Sequence, residues 1–95
     1  MIKGKTESGF EFEVNENVGK DFRIVMATKR LNSDNTIDKI EGTYDFVEAI
    51  LGKSGVETLV QFVIDQTGYA DTEIVLKEAK EILAFASEKS EEIKK

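Results

Sequence analysis

The chain has 95 residues, with 13 Lys and Arg against 19 Asp and Glu and a net charge of −6. One domain of this size buries roughly 60–65% of its unfolded surface, enough for a single modest core. With no Cys and no His, disulfides, thiolate metal sites and the commonest general base are excluded, and an acidic surface disfavours binding to nucleic-acid phosphates.

The first element alternates. In Phe10-Glu11-Phe12-Glu13-Val14 the apolar side chains share one face and the glutamates the other, the period of a half-buried strand. Ser8-Gly9 before it reads as a tight turn and 2–7 as the partner strand of a hairpin. A lone two-stranded ribbon is marginal in water, so Phe10, Phe12 and Val14 require helices to cover them.

From Asn15 the period becomes helical, with Val18, Phe22, Val25 and Met26 on one face and Asn15 or Asn17 as the cap. The polar cluster 32–36 ends this helix near Leu31. A second stripe follows through Ile40, Tyr44, Val47 and Leu51, with Gly42 and Thr43 weakening its start. A third helix spans 54–67 through Val56, Leu59, Val60 and Val63. The fourth runs from 72 to about 90, capped by Asp71 or Thr72, with Val75, Ala79, Ile82, Leu83 and Ala86 inward. The expected fold is α+β, mostly α: an N-terminal β-hairpin followed by about four helices. It forms a single domain over 1–90, with 91–95 as a frayed tail.

Gly52-Lys53-Ser54 matches the end of the phosphate-loop pattern G-x-x-x-x-G-K-[ST]. The first glycine of that pattern is replaced by Val47, a β-branched residue that obstructs a backbone cradle, and 43–51 has helical spacing where a strand is required. The segment reads instead as a helix–helix corner, with Gly52 as a left-handed cap, Ser54 as the next N-cap and Glu57 completing a capping box. A calcium loop begun at Asp34 meets Lys39 where glycine is needed. The pairs Glu11/Glu13, Glu78/Glu81 and Glu91/Glu92 fall on faces read as exposed, so they are solvated carboxylates and not acid–base pairs. No catalytic, cofactor or metal residue is assigned.

Phe62 lies about 120° from the centre of the third stripe, at 100° per residue, and Phe46 is displaced similarly on the second. Leu76 and Phe85 widen the apolar arc of the last helix to about half its circumference, against the roughly 100° of an ordinary surface helix. Phe46, Phe62, Leu76 and Phe85 are therefore expected to form a protein-binding patch, for another protein or another copy of the chain. MIKGKTESG lacks the apolar run of a signal peptide, and no segment approaches the roughly 18 apolar residues that cross a bilayer. A soluble, cytoplasmic protein is expected.

The order of SGFEFEV (8–14), KDFRIV (20–25), AILGKSG (49–55), QTGYADTEIV (66–75) and EAKEILAFA (78–86) resembles the small tail assembly chaperones of long-tailed bacteriophages and prophages of Gram-positive bacteria. The similarity spans residues 8 to about 90; Gly19 and the Asn/Asp-rich 32–38 segment depart from it. The resemblance implies a non-catalytic protein of the bacterial host cytoplasm, absent from the mature virion. Its implied partners are the tape measure protein and tail tube subunits. Many proteins of that family are also made in a longer form by frameshifting near the end of the short gene, with which Lys94-Lys95 is compatible. The alternative reading is an acidic phage-encoded inhibitor that mimics nucleic acid, although the carboxylates here are interleaved with cations and form no long block.

Overall fold

Two strands, a short 3-10 turn and three helices follow one another in the computed structural model, which describes residues 1–94, with side chains as far as Lys89. Strands β1 (Ile2–Lys5) and β2 (Glu11–Val14) pair antiparallel, Ile2 facing Val14 and Lys5 facing Glu11. The loop closes when the Gly9 N–H donates to the Thr6 carbonyl at 3.0 Å and the Thr6 N–H to the Phe10 carbonyl at 2.9 Å. Gly9 sits at φ 99°, the bulge position of a three-residue hairpin loop, which favours glycine. The alternation sorts the hairpin as expected. Phe10, Phe12 and Val14 are buried with Ile2, while Lys3, Lys5, Glu11 and Glu13 remain in water as oppositely charged cross-strand neighbours.

Helix α1 (Phe22–Leu31) starts later than the periodicity suggests, after the 3-10 turn Val18–Lys20. Its cap is Asp21, whose carboxylate accepts from the Arg23 backbone N–H at 2.9 Å and pairs with the Arg23 guanidinium at 2.6 Å. Hydrogen bonds from the Arg23 side chain, then from its backbone, hold the Asp21 carboxyl below its ordinary pKa. Asn15 is instead spent on a local turn, accepting from the Asn17 N–H at 2.7 Å.

Asn35 caps α2 (Thr36–Thr67), accepting from the Ile37 and Asp38 N–H groups at 2.8 and 3.3 Å. Thus the polar segment after α1 is a short capped corner. The second and third helices of the sequence reading are the two arms of α2, broken at Gly52, where φ is 79° and ψ 173°. That backbone is open to glycine almost alone, but it is extended and not the left-handed cap expected. The Ser54 hydroxyl makes no hydrogen bond among the described residues, so the capping box does not form. A straight helix of 32 residues would span about 48 Å, whereas the longest extent of the molecule is 40 Å. The break folds the spine back over the core.

Asp71 caps α3 (Thr72–Lys94), accepting from the Glu73 and Ile74 N–H groups at 2.9 and 3.3 Å. Val75, Ala79, Ile82 and Ala86 are buried as their spacing predicts, and Leu83 packs at the edge. Of the expected 91–95 tail, α3 includes residues up to Lys94, and Lys95 lies outside the described residues.

The two arms of α2 organise the rest. Helix α1 lies on the first arm, α3 packs on α2, and the hairpin is covered by α2 and α3. The first contact is close because Gly42 faces α1. A Cβ built there would come within 3.1 Å of the Leu31 backbone N and 3.3 Å of the Ala27 carbonyl oxygen. Gly42→Val is therefore expected to lever α1 away and cost about 1–3 kcal/mol by overpacking, read as a lower urea midpoint. An unchanged midpoint would mean that α1 does not need this approach.

Candidate protein-binding surface

Phe46, Phe62, Leu76 and Phe85 do not assemble into an exposed patch. Phe46 is 3% exposed, in the centre of the core. The stripe Ile40-Tyr44-Val47-Leu51 and the stripe Gly42-Phe46-Ala49-Ile50 both have helical spacing, about 145° apart at 100° per residue. The second is buried throughout, whereas the first is split: Val47 is fully buried and Leu51 half-buried, but Ile40 and Tyr44 are left in water. Leu76 is half-buried against the core.

Phe62 and Phe85 have an intramolecular role. The Phe62 ring meets Phe10 edge-on, with centroids 5.2 Å apart, and Phe85 meets Phe12 in the same way at 5.4 Å. Gly4 makes room for the second pair, since a Cβ there would sit 2.7 Å from both rings. The loop is fastened by its Glu7 N–H, which donates to the Glu81 carboxylate at 2.7 Å, and by the Gln66 side chain, which donates to the Ser8 carbonyl at 3.3 Å. The breadth of the apolar arc on α3 is explained by this second surface: one edge faces α2 and the other the hairpin.

On the hairpin-facing stripe of α3, between Ile74 and Glu81, lies Glu78. It was expected in solvent but is 3% exposed, and its Oε2 has no hydrogen-bond partner among the described residues. An unpartnered polar atom in an apolar setting costs about 1–3 kcal/mol. Glu78→Met, of similar length, is expected to recover about that amount in urea unfolding; a loss of stability would show that the carboxylate has a favourable role in the fold.

The apolar surface that does reach solvent is elsewhere. On α1, Phe22, Val25 and Met26 are 72, 61 and 56% exposed, whereas Ile24 and Ala27 on the opposite face are buried. This reverses the face assigned from periodicity: Val18, read as part of the same stripe, is buried in the turn before the helix. Helix α1 has two apolar faces, and the one with smaller side chains packs inward because Ala27 lies against Gly42. The sequence signal was the pairing of a small residue on α1 with a glycine on its neighbour. Among the described residues, six of the eight large exposed hydrophobic residues lie on α1 or the first arm of α2, the others there being Ile37, Ile40 and Tyr44. Phe22, Val25 and Met26 form one sticky cluster at this end, apart from Ile40 and Tyr44, which line a separate recess with Val56, Val60 and Val75.

A groove of about 640 Å³ runs along this end, with Phe22, Val25 and Met26 on one wall and Asp45, Glu48 and Ala49 on the other. Arg30 joins the walls, its guanidinium donating to Asp45 at 2.6 Å and to Glu41. Across the groove the Arg23 guanidinium is raised in pKa first by Asp21 and also by Glu48, and Glu48 beside Tyr44 raises the phenol. Lys29, in the same lining, has no ion-pair partner among the described residues. Such a groove has apolar area and a few charges. It offers a place to desolvate a side chain.

Among the described residues no group of three or more His, Cys, Asp or Glu side chains is placed to hold a metal ion, and no helix is long and apolar enough to cross a membrane. Compared with protein families, characterised proteins and solved structures, the chain gives no match. The functional reading therefore comes from the surface itself and from the sequence resemblance.

Proposed function

We propose that this chain is a non-catalytic phage tail assembly chaperone that binds the tape measure protein, tail tube subunits, or both in the host cytoplasm during morphogenesis. The observation that carries the reading is the outward-facing Phe22, Val25 and Met26 beside a groove, in a chain otherwise rich in charge. An isolated soluble domain gains nothing from hydrating three large side chains on one helix; a partner that covers them gains about 25 cal/mol for each Å² removed from water. The resemblance of residues 8 to about 90 to tail assembly chaperones supplies the kind of partner. An acidic mimic of nucleic acid has less support, since the most apolar exposed helix carries three cations and no carboxylate.

The test is co-expression with the tape measure protein encoded in the same genome. Co-purification and a larger soluble yield of the tape measure protein are expected. Absence of capture, with both proteins folded and abundant, would remove this function.

A further inference from the structure

We infer that the groove between α1 and the first arm of α2 takes an amphipathic helix whose apolar stripe is flanked by carboxylates. The inference rests on the reading of this face as protein-binding and adds the chemistry of the occupant. Helix α1 is a local inversion of charge: it holds three of the 13 cations and none of the 19 carboxylates of the chain. At 100° per residue Lys29 stands on the same outward stripe as Phe22, Val25 and Met26, and it has no partner of its own among the described residues. Arg23 and Arg30, on the side toward α2, are already engaged by Asp21, Asp45 and Glu41. The apolar side chains ask for an apolar stripe, and Lys29 beside them, uncommitted among the described residues, asks for an anion. A helix with Leu-type residues at i, i+3, i+4 and i+7 and Glu or Asp alongside supplies both.

An anionic bilayer shares the charge but not the shape. A planar surface laid on Phe22, Val25 and Met26 also meets Asp45 and Glu48 on the opposite wall, whereas a helix seated in the groove can turn its carboxylates toward Lys29 and away from that wall. A second copy of the chain would have to present such a helix from its own surface.

Two synthetic helical peptides of about 18 residues with the same leucine stripe, one flanked by glutamate and one by lysine, separate these cases by fluorescence anisotropy with the full chain. The glutamate-flanked peptide is expected to bind about tenfold more tightly, with the preference shrinking toward unity in Lys29→Glu and both peptides lost in Met26→Asp. Circular dichroism checks that the variants are folded. Equal binding, preference for the lysine-flanked peptide, or no binding of either overturns the inference. So does Met26-dependent binding to phosphatidylglycerol vesicles in place of peptide, or a Met26-dependent dimer in sedimentation equilibrium that excludes the peptide. Peptide selectivity is read without the tape measure protein. Capture of that protein by a folded Met26→Asp chain would refute the groove and leave the chaperone reading standing, whereas peptide selectivity without capture would do the reverse.

Discussion

Phe12→Ala is expected to destabilise the protein by about 3–5 kcal/mol, the usual cost of emptying a buried phenylalanine site. Phe12 is 8% exposed, its ring meets Phe85 at an interplanar angle of 85°, and Gly4 beside it has no side chain that could fill the space. The loss propagates because a two-stranded ribbon has little stability of its own. Once Phe12 is removed, Phe85 loses its partner and the hairpin loses one of its two aromatic attachments to the helices, the other being Phe10 to Phe62 on α2. Small domains have about 5–15 kcal/mol in total, so the variant is expected to melt at far lower temperature or to be unfolded at 37 °C. Glu13→Ala on the exposed face of the same strand is the control, expected within about 0.5 kcal/mol of the parent. Equal melting of the two variants would show that the hairpin face is not part of the core.

Phe22→Asp and Phe62→Asp are expected to fail in opposite ways. Phe22 is largely in water, so a carboxylate there leaves the circular dichroism and melting temperature nearly unchanged while weakening partner capture by about 30-fold or more. That corresponds to the roughly 2 kcal/mol expected of a central anchor. Phe62 is packed edge-on against Phe10, so Phe62→Asp sets a charge against the buried hairpin face and is expected to unfold the chain. Intact partner binding by a folded Phe22→Asp protein would remove the α1 face from the proposal. A folded Phe62→Asp protein with lost binding would restore the surface expected from helical angles alone.

Local chemistry was enough to specify the hairpin and the last helix. Alternation placed Phe10, Phe12 and Val14 on one face whatever covered them, because successive strand side chains point to opposite sides. Asp71-Thr72 before an apolar stripe with helical spacing marked both the start of α3 and its inward residues, because a cap bonds only the N–H groups of its own first turn; the structure chose Asp71 of the two. Gly52 was legible as a break, since a positive φ is a property of the residue and its neighbours.

The orientations of α1 and α2 were not legible, and the candidate surface depended on them. Each of these helices offers two apolar stripes of correct spacing, and spacing carries no information about which one meets a neighbour. Size suggested Phe22, Val25 and Met26 for the core of α1. Close packing selected Ile24 and Ala27, because only small groups allow the backbone of α1 to approach Gly42. That choice turned Phe46 inward and α1's large side chains outward. The hairpin, distant in sequence from α3, likewise accounts for Phe85, and Glu78 on the same face of α3 is buried. The sequence by itself determined the order of strand, helix and break, though not where α1 begins. Tertiary packing decided which faces are surface, because burial is a relation between elements and is written in neither one alone.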